Sequence, residues 1–243
     1  MKGILYGIGA GPGDPELLTL KAVRVMRECE AIAIPKAGSG ESTVFTIVEK
    51  FIEGKELIEC SFAMEKDMAK RKAARQLAAG RMIPFLDAGK DVGFVTLGDP
   101  ATYSTYMYVH ELITGMGYEA EIVPGITSYA AAAAAFGVAL CEDREALTVI
   151  PARHGENIGE LLAYPGNKVI MKSGNNLAQV LDILKERGYG GRTKIACQVS
   201  TGRQQLYESI EEYEKAPEAG YLTVAIVKMQ GKTQHDKKGD TNV

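Results

Sequence analysis

Residues 3–22 read GILYGIGAGPGDPELLTLKA, and the prediction of the fold depends on them. The first part, 3–8, is short, apolar and β-prone, which is typical of a buried strand. The glycines that follow predict a loop with almost no side chains. Asp14 and Pro15 then predict the N-cap and the first position of a helix that continues over 17–27. A strand, a glycine loop and a helix in this order are typical of an α/β unit.

The same alternation continues through the first half of the chain. Short apolar runs predict further strands at 31–35, 56–60 and 91–97. Helices are predicted at 42–51, 65–88 and 102–114, and Pro84 predicts a bend in the second of them. Buried strands that alternate with helices predict an α/β sheet that is mainly parallel.

A second half begins with a turn over 121–128. The six consecutive alanines at 130–135 predict a helix with a close-packing face. Later strands are predicted at 146–151, 168–171, 194–200 and 221–228, and later helices at 157–163 and 175–187. We therefore predict two α/β domains, 1–123 and 124–230. The polar tail, 231–243, is expected to be disordered.

The composition is that of a globular protein that does not bind nucleic acid. Hydrophobic residues make up 46% of the 243 positions, which is enough to offset the entropy of ordering the chain. The net charge of −3 provides no broad positive field for phosphate backbones. The sequence contains no apolar run of about 18 residues, so no membrane span is predicted. The first residues do not have the pattern of a signal peptide. A cytoplasmic location is expected.

The cysteines do not indicate a metal site or a disulfide framework. They lie far apart and form no C-x-x-C pair: Cys29, Cys60, Cys141 and Cys197. We expect buried, reduced thiols and no bound metal.

The first glycine loop does not fit the common nucleotide motifs. In a G-x-G-x-x-G dinucleotide fingerprint that starts at Gly7 or Gly9, the place of the third glycine is taken by Pro12 or Asp14. The Gly-Lys-Ser/Thr of a P-loop is also absent. Gly11 and Gly13 leave room for close approach of a backbone to a ligand, here the substrate. A tight structural turn explains the same glycines equally well.

Two later loops also contain polar candidates after predicted strands. In TLGDPATYST, 96–105, Gly98, Asp99 and Thr102 lie where open α/β sheets bind ligands. Asp99 either accepts hydrogen bonds from a ligand or caps the following helix. Thr127 and Ser128 start the alanine-rich helix, either as caps or facing a cleft.

Together these loops resemble the tetrapyrrole methylase family, whose members transfer methyl groups from S-adenosylmethionine. The similar segments are GIGAGPGDPELLTLKA (7–22), VGFVTLGDPATYST (92–105), PGITSYAAAAA (124–134) and, more loosely, GYLTVAIVK (220–228). IPKAGSGESTVFTIV (34–48) and CSFAMEKD (60–67) resemble the branch that methylates C20 of precorrin-2 or cobalt-factor II in cobalamin biosynthesis.

The resemblance implies two α/β domains, an active-site trough between them, and a homodimer. It also implies that S-adenosylmethionine contacts the residues that match the family's motifs, namely Pro12, Gly98, Asp99, Thr102, Thr127, Ser128 and Met171. The QVSTGRQQ segment, 198–205, fits the family pattern only loosely.

The implied substrate is a tetrapyrrole that carries eight carboxylates on a large apolar ring. Cations near predicted strand ends are the candidates for binding it: Lys36, Arg153, His154, Lys172 and Arg203, of which Lys36 and Arg153 are preferred. Each of them is also explained as a solvated surface charge. No catalytic side chain is identified.

Other functions remain open from the sequence. Methylation at another ring position, C2/C7 of uroporphyrinogen III or C11 or C17, fits the same family. Ribosomal RNA and a protein histidine derivative are also substrates on this fold, although the acidic charge does not favour RNA. A nucleotide-binding regulatory module is the non-enzymatic alternative.

Overall fold

The computed structural model describes residues 1–36, 42–62, 67–152, 157–216 and 222–229. Arg153, His154 and the tail 231–243, for which the sequence made predictions, lie outside these residues. The chain divides into two compact units, with the division between Ser128 and Tyr129. The sequence placed the boundary a few residues earlier, after residue 123.

The first unit contains one parallel sheet and four helices. Its strands, β1 to β5 in chain order, are Leu5–Gly9, Ala31–Lys36, Glu56–Ser61, Val92–Thr96 and Ala120–Val123. Its helices, α1 to α4, are Leu20–Glu28, Thr43–Val48, Met68–Asp87 and Tyr106–Gly115. The strand order is β3-β2-β4-β1-β5, and all neighbours are parallel. The prediction of a parallel sheet is confirmed for this unit.

Helices cover both faces of this sheet. Ala22 and Met26 of α1 pack with Ile8 on one face, together with side chains of α2. On the other face, Met82 of α3 packs with Phe94 and with side chains of α4. Because both faces are buried, β4 consists entirely of buried residues, as expected for a central parallel strand. The structure therefore gives a doubly wound α/β unit.

Two predicted helix starts are wrong for local reasons. Asp14 caps only a short 3-10 turn, Pro15–Leu17, whereas Thr19 accepts a hydrogen bond from the backbone N–H of Ala22 and caps α1. Helix α4 begins at Tyr106 rather than at 102, because Tyr103 adopts a left-handed φ of 51° that cannot continue a helix. Pro84 lies within the last turn of α3, which continues to Asp87.

The second unit contains a mixed sheet. Its strands, β6 to β10, are Leu147–Pro151, Asn167–Met171, Thr193–Cys197, Gln205–Tyr207 and Thr223–Val227. Its helices, α5 to α8, are Ser128–Phe136, Ile158–Leu161, Leu177–Glu186 and Ile210–Lys215. The strand order is β6-β7-β10-β8-β9, and only β6 and β7 are parallel neighbours.

Unlike the sheet of the first unit, this sheet is mainly antiparallel. Strand β10 is antiparallel to both β7 and β8, and the short connection from β8 to β9 permits only an antiparallel pair. Strand β9 and helix α8 were not predicted. Ser209 caps α8 by accepting from the N–H of Glu212, and that S-x-x-E signal is visible in the sequence.

Among the described residues, no helix has both the length and the apolar character needed to cross a bilayer.

The cysteines are free, and three of the four are buried. Burial raises the pKa of Cys29 to about 12 and that of Cys60 to about 11, and nearby Asp91 adds to the first shift. Cys141 is exposed, so the expectation of buried thiols is wrong at that position.

We predict that a polar disulfide reagent modifies one thiol in the native protein near pH 8. The reason is that a buried thiol is both inaccessible and largely protonated there. Counting the released chromophore should give one equivalent natively and four after denaturation, and Cys141→Ser should abolish the native signal. Native modification of more than one thiol would contradict the described burial.

Candidate functional site

Three loops of the first unit meet because their strands are neighbours. Strands β4, β1 and β5 are adjacent and parallel, so the loops 97–105, 10–14 and 124–127 leave the same edge of the sheet. The N–H of Gly11 donates to the carbonyl of Gly98 (3.2 Å), and the N–H of Gly98 donates to the carbonyl of Gly11 (2.7 Å). The carboxyl edge of a parallel sheet is the usual ligand position in such folds.

Asp99 connects two of these loops. Its Oδ2 accepts from the backbone N–H of Gly125 (3.0 Å), and its Oδ1 accepts from the N–H of Ala101 (2.9 Å) and the hydroxyl of Thr102 (3.3 Å). Asp99 therefore does not cap α4, which begins at Tyr106. It fixes the shape of its own loop and holds the loop after β5 beside it.

Glycines are required where the loops touch. A Cβ on Gly9 would lie 2.5 Å from Cα of Gly125, and one on Gly125 would lie 2.2 Å from the carbonyl oxygen of Gly98. Gly11 and Gly98 have φ values of +72° and +74°, which favour glycine. Apart from its two chain neighbours, none of the described residues has an atom within 4 Å of the Cβ position of Gly98, so that side of the loop is open.

The structure brings six of the seven predicted donor contacts into or next to this loop cluster. Pro12 is buried within the first loop, and Gly98, Asp99 and Thr102 belong to the second. Thr127 and Ser128, both half-buried, follow β5 at the start of α5. Of the two predicted substrate glycines in the first loop, Gly11 has a positive φ, as in a tight turn, whereas Gly13 does not.

Met171, the seventh predicted contact, lies in the second unit at the carboxyl end of β7. The carboxyl end of β8 shares that edge, because both strands are antiparallel to β10. Three residues after these strand ends have left-handed backbones without being glycine: Lys172 (φ 60°), Gln198 (φ 47°) and Ser200 (φ 62°). Such strained conformations cost about 1–2 kcal/mol each and concentrate at functional sites. The sequence named Lys172 as a candidate cation, but it gave no sign of the left-handed backbone that these three residues share.

The predicted substrate cations have different surroundings. Lys36 ends β2, on the same edge as the three loops, and its Nζ lies 3.4 Å from both carboxylate oxygens of Glu59. Lys172 follows β7 and is half-buried, whereas Arg203 is exposed in the turn before β9. Arg153 and His154 are outside the described part of the chain.

Comparison with known proteins identifies similar sequences and folds. A family model described as Tetrapyrrole (Corrin/Porphyrin) Methylases matches residues 4–213. The cobalt-precorrin-2 C(20)-methyltransferase of Salmonella typhimurium is 30% identical over 95% of this chain and 98% of its own. The precorrin-2 C(20)-methyltransferase of a Sinorhizobium species is 30% identical over 93% of this chain and 95% of its own.

Among solved structures, a uroporphyrin-III C-methyl transferase from Thermus thermophilus, complexed with S-adenosylhomocysteine, has a TM-score of 0.67. It is 21% identical, and the match covers 93% of this chain and 98% of that one. This similarity confirms the predicted α/β fold class.

Proposed function

Since this chain belongs to the tetrapyrrole (corrin/porphyrin) methylase family, we propose that it methylates C20 of precorrin-2 or of cobalt-factor II. The methyl donor is S-adenosylmethionine, and the reaction is a step of cobalamin biosynthesis. One observation carries the choice of C20, namely the 30% identity, over nearly the full length, to two relatives named for that position.

The donor is proposed to bind at the loops after β1, β4 and β5 of the first unit. The contact of the Met171 backbone with adenine stays a prediction from the family resemblance. Two features of the first unit fit S-adenosylmethionine. The open side of Gly98 admits close approach of a ligand, and the Asp99 carboxylate favours cationic groups such as a sulfonium or an ammonium. Bound there, S-adenosylmethionine supplies an electrophilic methyl group. A Thermus thermophilus relative of this fold binds S-adenosylhomocysteine, the product of such a transfer.

The chemistry requires orientation rather than a protein nucleophile. A meso carbon of a reduced tetrapyrrole is neutral and electron-rich, so the new carbon–carbon bond forms as the carbon–sulfur bond breaks. The methylated carbon then loses its proton, and the neutral ring system is restored. The role of the chain is to hold the two reactants in line in a site without water. Burial raises the pKa of the Cys29 and Cys60 thiols, so neither is a ready nucleophile, in agreement with this chemistry.

Calorimetry separates this enzyme from a nucleotide-binding module. S-adenosylhomocysteine should bind, whereas ATP and NAD should not, because neither a P-loop nor a dinucleotide fingerprint is present. Binding of ATP or NAD without binding of S-adenosylhomocysteine would contradict the proposal.

The homodimer implied by the family resemblance is proposed as well, and light scattering tests it. The cytoplasmic location stays a prediction.

Lys36→Ala should raise KM for the tetrapyrrole several-fold and leave KM for the donor nearly unchanged. The Lys36–Glu59 pair is half-exposed and worth roughly 0–1 kcal/mol, so a substrate carboxylate can replace Glu59 at little cost. Steady-state kinetics with each substrate varied in turn measures both constants. Glu59→Gln is the matched control, since it releases Lys36 and should not raise KM for the tetrapyrrole. Equal changes in the two constants for Lys36→Ala would disprove the assignment.

A further inference from the structure

Helix α3 concentrates positive charge in a protein whose net charge is −3. Between residues 68 and 86 the helix contains no acidic side chain, and its cations are Lys70, Arg71, Lys72, Arg75 and Arg81. Four of these five lie in the first two turns. The charge is therefore located at one end of the helix.

That end extends beyond the carboxyl edge of the first sheet. The 20 residues of α3 span about 30 Å, whereas strands of five or six residues span roughly 17–20 Å. The last turn is fixed at the opposite edge, where the N–H of Gly3 donates to the carbonyl of Leu86 (2.8 Å). Ala74 already lies beside Ser61, the last residue of β3. The first two turns of α3 therefore pass the edge from which the three loops leave.

Two arginines are on the side of α3 that faces the sheet. Arg71, Arg75, Ala78 and Met82 follow each other at spacings of three and four, so they form one stripe. Ala78 and Met82 are buried against the sheet, and Arg71 and Arg75 are half-buried. The stripe is thus apolar over the sheet and cationic at the carboxyl edge of the sheet, with Arg75, and beyond that edge, with Arg71.

Arg75 is held against the first turn of α4. Its guanidinium lies 3.4 Å from the centroid of the Tyr108 ring, a cation–π contact. Tyr108 is in the first turn of α4, and α4 directly follows the loop 97–105. Within the residues that the structure describes, neither Arg71 nor Arg75 forms an ion pair with a carboxylate. Phe62, packed against Phe94, adds apolar surface at the end of β3.

We propose that Arg71 and Arg75 bind peripheral carboxylates of the tetrapyrrole and thereby set the orientation of its ring. This rests on the proposed function. A guanidinium presents a planar fork that matches a carboxylate, and the adjoining apolar surface suits the ring. Strand β2 lies between β3 and β4, so the ends of β3 and β4 are about 10 Å apart. This distance is comparable to the width of a four-pyrrole ring.

The test compares the double variant Arg71→Gln/Arg75→Gln with Arg24→Gln. Arg24 is an exposed arginine of α1, on the other face of the sheet, and is paired with Glu28. Glutamine is a good helix former, so α3 should persist, which circular dichroism checks. Two tetrapyrrole ligands are used. For precorrin-2 the measured quantity is KM. For uroporphyrin III, a stable porphyrin with eight carboxylates, it is the dissociation constant from fluorescence titration. Calorimetry with S-adenosylhomocysteine reports the donor site.

The double variant should bind either tetrapyrrole at least tenfold more weakly, and Arg24→Gln should match the wild type. Affinity for S-adenosylhomocysteine should be unchanged in both, and Arg71→Lys/Arg75→Lys should recover part of the loss. Wild-type tetrapyrrole affinity in the double variant would overturn this inference and leave the proposed function intact. Absence of binding of both tetrapyrroles to the wild-type protein would overturn the proposed function and this inference with it.

Discussion

Gly9→Ala should reduce affinity for S-adenosylhomocysteine by at least about 100-fold, because it forces the three loops apart. The new Cβ would lie 2.5 Å from Cα of Gly125 and 2.7 Å from the carbonyl oxygen of Gly98. Both neighbours are backbone atoms, which cannot rotate away. A misplacement of about 1 Å costs on the order of 100-fold in the rate of an oriented reaction, and we expect a loss of similar size in donor affinity; overpacking costs about 1–3 kcal/mol of stability. Calorimetry and thermal denaturation measure the two effects.

Gly80→Ala is the matched control for this substitution. Gly80 lies within α3, and its Cβ position has no described atom within 4 Å apart from its chain neighbours and the nearby backbone of the same helix. Alanine there should stabilise the helix by about 0.5–1 kcal/mol and leave donor affinity unchanged. Unchanged donor affinity in Gly9→Ala would show that the contact between the loops is not needed for binding.

Asp99→Ala should weaken binding of S-adenosylhomocysteine by tenfold or more. The substitution leaves the N–H groups of Ala101 and Gly125 without their acceptor, and a hydrogen bond to a charged group is worth about 1.5–3 kcal/mol. Asp99→Asn keeps one acceptor oxygen and should have an intermediate effect. Titration calorimetry of the three proteins gives the order wild type, Asn, Ala.

Asp67→Ala separates the effect on the site from a general effect of losing a capping aspartate. Asp67 accepts from the N–H groups of Ala69 and Lys70 at the start of α3. Its loss should cost about 0.5–2 kcal/mol of stability and should not change donor affinity. If Asp67→Ala and Asp99→Ala weakened donor binding equally, Asp99 would have no special role in the site.

Much of the first unit was predictable because its signals are local. Buried parallel strands are continuous apolar runs, as in β4, and each of the three motif loops follows one of them. The strand order was not predictable, and it is the strand order that brings Gly11, Gly98 and Gly125 together. From the sequence, the glycines were expected to let a ligand approach the backbone closely. The structure shows that they also let the loop backbones approach one another.

The second unit was predicted less well because its features depend on tertiary contacts. Nothing local in β10 indicates that it is inserted antiparallel between β7 and β8. The left-handed residues Lys172 and Gln198 are equally invisible, since neither is a type that favours this conformation. For Asp99, the sequence offered a ligand contact or a helix cap, and the structure shows a connection between two loops.

The position of the transferred methyl group tests the central proposal most directly. The purified enzyme is supplied with precorrin-2, in metal-free and cobalt forms, and with a donor that carries a ¹³C methyl group. The product is then analysed by mass spectrometry and NMR. We predict one added methyl group, attached to C20. A labelled methyl group at C2, C7, C11 or C17 would contradict the proposed function.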